Sequence, residues 1–114
     1  MPTTPAEARE LALALPGSSE APHFTRIAFR VAGKIFATLN PHGDDLNLMV
    51  TPDLQAEILA EWPTLTTPVA GGWGRMGATA VHLDRAEAPQ VAAMLERSWQ
   101  RRAPSRVVKL RTGA

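Results

Sequence analysis

At 114 residues and 45% hydrophobic, the chain is sized for one domain, residues 1–114, and is too apolar to stay disordered. Twelve basic against eleven acidic residues leave a formal charge of +1, which excludes a uniformly basic nucleic-acid binder and leaves room only for a local patch. The absence of cysteine excludes disulfides, thiolate nucleophiles and thiolate metal sites.

The opening stretch MPTTPAEARELALALPG has no basic region followed by an apolar run, so no signal peptide is expected. No stretch approaches the ~18 apolar residues of a membrane span. A cytoplasmic protein without membrane association is the expectation. Thr4-Pro5-Ala6-Glu7 predicts a helix start, with Thr4 as cap, Pro5 at the first position and Glu7 closing a capping box. Ala8, Leu11, Ala12 and Leu15 follow at helical spacing until Pro16-Gly17, so residues 5–15 are expected to be helical. SSEAPHF reads as a polar connector.

Residues 26–50 read as three strands, with turns at Ala32-Gly33 and around Pro41-His42-Gly43. Ile27, Phe29 and Val31 alternate with Arg26, Ala28 and Arg30. Ile35, Ala37 and Leu39 alternate with Lys34, Phe36 and Thr38. Leu46, Leu48 and Val50 alternate with Asn47 and Met49. A two-residue loop at Ala32-Gly33 would pair Phe29 with Phe36 but set Arg30 opposite Ile35. A three-residue loop from Val31 to Gly33 pairs Phe29 with Ile35 and Ile27 with Ala37, and the hydrophobic pattern favours it. The opposite face then carries Arg26, Arg30, Lys34, Phe36 and Thr38.

Thr51-Pro52 starts a second helix over residues 52–62, with Leu54, Ile58, Leu59 and Trp62 as its apolar stripe and Pro63 as its stop. TLTTPVAGGWGRM reads as a flexible loop, GATAVHLD as a fourth strand. The last helix is expected over residues 86–102, with Asp84 as cap and Val91, Met94, Leu95, Ser98 and Trp99 facing inward. VVKL is a short apolar tail. The sum is an α+β domain: an antiparallel sheet of four or more strands with helices packed on one face. Its expected core includes Leu11, Phe29, Ile35, Leu48, Ile58, Leu83, Leu95 and Trp99.

Catalytic constellations are absent from the pattern. His23, His42 and His82 lie far apart, without a ligand partner at helical spacing, so no metal site is read from them. Asp44-Asp45 reads as turn chemistry. Gly71-Gly72-Trp73-Gly74 lacks the spacing and lysine of a phosphate loop. No serine sits in a nucleophile elbow. No enzyme activity and no cofactor are expected.

Two features point to a partner. RSWQRRAPSRVVKLR holds Arg97, Arg101, Arg102, Arg106, Lys109 and Arg111 and no acid. Such a cluster serves either as a solvated helix end or as phosphate contacts. Trp73, among glycines beside Arg75, is placed either to stack on a flat ligand or to plug the sheet face.

LALALPGSSEAPHF, IAFRVAGKIFATL, TPDLQAEIL, WGRMGATAVHLD and LERSWQRRAPSRVV, in that order, resemble the MmcQ/YjbR-like family over nearly the whole chain. The resemblance implies a small α+β domain compared to frataxin-like and secretion-chaperone-like folds, often described as DNA-binding. Ala78 stands where the family usually has an aromatic, and Ser105 where it often has a basic residue. Two readings follow. One is a DNA-binding module contacting phosphates through Arg30, Lys34 and Phe36 with Arg101, Arg102, Arg106 and Lys109. The other is a protein- or small-ligand-binding module that uses the open sheet face or the loop of Trp73 and Arg75. Oligomeric state is not legible.

Overall fold

The computed structural model describes residues 1–112. Helix α1 (Pro5–Leu13) begins where its capping box requires: the Glu7 N–H donates to Thr4 Oγ1 at 3.1 Å, and the Thr4 N–H donates to Glu7 Oε1 at 2.9 Å. The strands are β1 (Ser18–His23), β2 (Arg26–Val31), β3 (Lys34–Leu39) and β4 (Asp45–Leu48), then β5 (Thr66–Pro68) and β6 (Thr79–His82). Between β4 and β5 runs α2 (Pro52–Glu61), capped by Thr51 as the sequence predicts. A short helix α3 (Gly72–Arg75) lies between β5 and β6. Helices α4 (Ala88–Arg102) and α5 (Ser105–Thr112) close the described chain.

Every pairing is antiparallel, in the order β1-β2-β3-β4-β6-β5. Strand β6 inserts between β4 and β5, so the chain crosses by α2 to the far edge before turning back. The segment expected to be a connector is edge strand β1. It lacks the β-branched and aromatic residues that mark strands, and its Pro22 is tolerated because an edge has one side free of ladder bonds. The other edge, β5, ends in Pro68.

The first large hairpin corrects the expected register. Val31 pairs with Lys34 and Arg30 with Ile35, across a two-residue loop in which Ala32 and Gly33 have φ of +51° and +77°. Positive φ at both central residues matches the right-handed twist of the flanking strands. A bulge then intervenes, so Phe29 pairs with Ala37 and Ile27 with Leu39. Phe36 is the extra residue. The bulge turns it onto the helix-covered face, where it meets Phe29 at 6.4 Å between ring centroids. Its carbonyl accepts from the Met49 N–H and from the buried Ser98 hydroxyl of α4. The slip that a two-residue loop would cause is thereby cancelled after one residue.

The core lies between this face and the helices. Phe29, Leu39, Leu46 and Leu48 from the sheet meet Ile58 of α2 and Val91, Met94, Leu95 and Trp99 of α4. The inner face of α4 is the one its periodicity predicts. Its start is two residues later than expected: Leu83–Arg85 form a 3-10 turn, and Glu87, not Asp84, holds the cap position, its N–H donating to Gln90 Oε1 at 2.9 Å. Of the expected core, Leu11 is half-buried against the cluster and Ile35 lies on the opposite face. The expected apolar tail is helix α5, whose Val107 and Val108 pack on the core edge.

Candidate functional site

The face of the sheet away from α1 and α4 carries the residues that alternate with the core. Pairing sets Ala21, Ala28, Thr38, Asn47 and Ala80 in one row across five strands, with His23, Arg26, Asp45 and His82 toward one end and Arg30 and Ile35 toward the other. At the first end Arg26 is fully engaged. Its Nη1 donates to Asp45 Oδ2 at 2.6 Å, its Nε to Thr38 Oγ1 at 3.0 Å and its Nη2 to the Thr38 carbonyl at 2.9 Å. Burial pushes the Asp45 carboxyl up, but the hydrogen bond and charge of Arg26, helped by Asn40, outweigh it and leave the group below its ordinary value.

That depression gives the fold an acid sensitivity. The stabilisation is complete above the unfolded-state value of about 3.9 and is lost as pH falls through the lower folded-state value. The urea midpoint should therefore fall on acidification below about pH 4, and should fall less in Asp45→Asn. Equal acid sensitivity in the two proteins would remove the pair from this role.

Two loops raise walls beside the face. The turn joining β1 and β2 holds Phe24 at φ +58°, with its side chain 95% exposed and its ring edge-on to His23 at 5.1 Å between centroids. Helix α3 holds Trp73, 67% exposed. The sequence suggests a flexible loop there, but the segment is clamped. Gln55 Nε2 donates to the carbonyls of Gly74 and Ala78, each at 3.0 Å, and the Ala78 N–H donates to the Trp73 carbonyl at 3.0 Å. A Cβ on Gly74 would lie 1.8 Å from the Val69 carbonyl oxygen, so glycine is the residue that admits this approach.

Between these walls lies a cleft of about 610 Å³. Ile35, Met49, Val69 and Ala78 supply apolar surface, Thr38 and Asn47 polar groups, and Lys34 and Arg102 positive charge that has no ion pair among the described residues. Ile35 reached this site through the bulge.

The C-terminal basic cluster, contiguous in sequence, is dispersed in space. Arg97 pairs with Glu61 at 2.6 Å and lies 4.9 Å over the Trp62 ring. Arg111 pairs with Glu96 at 2.8 Å. Arg101 donates to the Met49 carbonyl at 3.1 Å, while Arg106 and Lys109 are exposed on α5. Only Arg102 of the cluster lines the cleft. Arg30 is on the open face as expected, half-buried, outside the cleft. Phe36 is fully buried, so it offers no surface to a partner. Arg75 is exposed on α3, beside Trp73 but outside the cleft lining. Phe24 was the wall residue that sequence reasoning missed; an aromatic between a strand pattern and a polar run carries no periodic signal.

Among the described residues no group of three or more His, Cys, Asp or Glu is placed to hold a metal ion. No helix among them is long and apolar enough to cross a membrane.

The YjbR family model matches residues 13–101. Among solved structures the chain is similar to protein DR2400 of Deinococcus radiodurans, described as carrying a DUF419 domain. The two share 22% identity and superpose with a TM-score of 0.68, covering 85% of this chain and 76% of that one. The likeness is one of fold. No curated protein matches the chain.

Proposed function

The chain belongs to the YjbR family, and within that fold we propose that it is a small-ligand-binding module, without catalysis, whose site is the cleft on the open sheet face. A fold does not specify a function, so the site must carry the reading. The observation that carries it is a rigidly clamped yet exposed tryptophan standing over a concave, largely apolar floor. Trp62 and Trp99 pack against or within the core. Trp73 instead stands exposed on a segment whose backbone is tied to Gln55 of α2. A volume of about 610 Å³ falls within the range typical of small-molecule sites, about 300–1,000 Å³.

Phe24 adds support. A bulky residue in the left-handed region costs about 1–2 kcal/mol, and its ring buries almost nothing in return. Phe24→Gly should therefore leave stability unchanged or raise it by up to about 1 kcal/mol, while weakening occupancy of the cleft.

The test is a nitrogen-15 NMR titration with 2-naphthalenemethanol, a flat neutral probe. Shifts should concentrate at Ile35, Thr38, Asn47 and the Trp73 indole, and should vanish in Trp73→Ala. A native protein showing no cleft shifts with this probe or with a charged analogue of it, or the same shifts without Trp73, would overturn the reading.

A second reading, DNA binding through phosphates, is favoured by Lys34 and Arg106, both exposed and without an ion pair among the described residues. Labelled duplex titrated at two salt concentrations decides it. Phosphate contact predicts affinity falling steeply with salt, by about 0.9 units of logarithmic slope per contact. No binding at low salt removes it.

A further inference from the structure

We infer that the occupant of the cleft is an amphiphilic anion: a flat apolar body carrying one carboxylate or phosphate, met by Lys34 and Arg102. The inference rests on the cleft reading above and adds the charge of the ligand to it.

The lining contains Lys34, Arg102 and Arg26 and not one aspartate or glutamate. Arg26 is spent on Asp45 and Thr38. Lys34 and Arg102 are not: neither makes an ion pair or side-chain hydrogen bond among the described residues, and the Arg102 Nε is buried without an acceptor.

The surroundings sharpen the point. Arg101 neighbours Arg102 and donates to the carbonyl of Met49, which lines the cleft. Burial, and then the charge of Arg102, hold the Arg101 guanidinium below its ordinary value. Arg101 itself lines a separate hollow with Glu57 and Gln100, so of the two neighbouring arginines Arg102 is the one presented to the cleft.

The charges are also sorted along the site. Lys34 and Ile35 begin β3, whereas Phe24 lies beyond the opposite end of β2. Four residues of strand separate Lys34 from Thr38, a rise of about 13 Å. The cation end and the Phe24 end are therefore far enough apart for an elongated ligand, and Trp73 lines the same cleft. A guanidinium favours planar oxyanions, which carboxylate and phosphate share.

Three probes of one shape separate the possibilities: 2-naphthoate, 2-naphthyl phosphate and neutral 2-naphthalenemethanol, each titrated by NMR at low salt. Both anions should shift the cleft amides with about tenfold higher affinity than the alcohol, the worth of one charge-assisted hydrogen bond. That preference should disappear in the double variant Lys34→Gln/Arg102→Gln. It should persist in Arg102→Lys paired with wild-type Lys34, and in Arg85→Gln, which removes a charge outside the cleft. The order of the two anions tells whether carboxylate or phosphate is the better fit. Alcohol binding as tightly as the anions, or an anion preference that survives the double variant, overturns the inference and leaves the cleft reading standing. If none of the three shifts the cleft amides, both fall.

Discussion

Trp99→Ala should cost about 3–5 kcal/mol of folding stability, the range for emptying a large aromatic site in a core. Trp99 is 1% exposed and is among the largest fully buried side chains of the protein. Its removal leaves a cavity lined by α4, the sheet and the α1–β1 turn, which the surrounding backbone cannot close without abandoning its own hydrogen bonds. A polar loss adds to the apolar one. The indole N–H donates to the Pro16 carbonyl at 3.0 Å, across 83 positions of sequence. Alanine would orphan that carbonyl, and Trp99→Phe isolates this second effect because it keeps most of the volume. Urea unfolding measures both variants. The midpoint should drop with little change in slope, and far more for alanine than for phenylalanine. An alanine variant losing under about 1 kcal/mol, as surface substitutions do, would place Trp99 outside the core.

Gly74→Ala should cost at least about 3 kcal/mol, at or above the usual ceiling for overpacking. The added Cβ would lie 1.8 Å from the Val69 carbonyl oxygen and 2.9 Å from its carbon. Those are backbone atoms and cannot swing aside as the end of a side chain does. Helix α3 would have to lift, and the bonds from Gln55 to Gly74 and Ala78 would go with it. The neighbouring Gly72→Ala is the control. Its Cβ meets nothing nearer than the Arg75 Nη2 at 3.7 Å, so it should be neutral or gain up to about 1 kcal/mol from a stiffer unfolded chain. Thermal unfolding compares the pair. Equal stability of the two variants would mean that the clamp on Trp73 is not there.

What the sequence tells depends on how local the cause is. Both early helices start at the residues their caps specify, because Thr4 with Glu7 and Thr51 with Leu54 settle the matter within four positions. The inner face of α4 follows from its apolar spacing alone. The bulge at Phe36 is different. It answers to Phe29 on the next strand and to Ser98 far along the chain, and nothing within β3 announces it. Strand β1 is held by pairing with β2 rather than by its own propensity, so SSEAPH shows no strand signal. The site suffered most. The cleft draws on the β1–β2 turn, β3, the end of β4, the β5–β6 connection and α4, while Arg97, Arg101, Arg102 and Arg111, close in sequence, turn to Glu61, Met49, the cleft and Glu96 respectively. One clue was available: glycines at 74 and 77 around a tryptophan mark close backbone approach as readily as flexibility, and here both are buried.

The two edge prolines have a consequence for how copies of this chain meet. A sheet edge normally offers a row of free N–H and C=O groups on which another molecule can continue the ladder. Pro22 in β1 and Pro68 in β5 remove a donor from each outer rim, and β5 is only three residues long. Each border therefore offers a second copy one donor fewer, and a ladder extended from either would be interrupted at its proline.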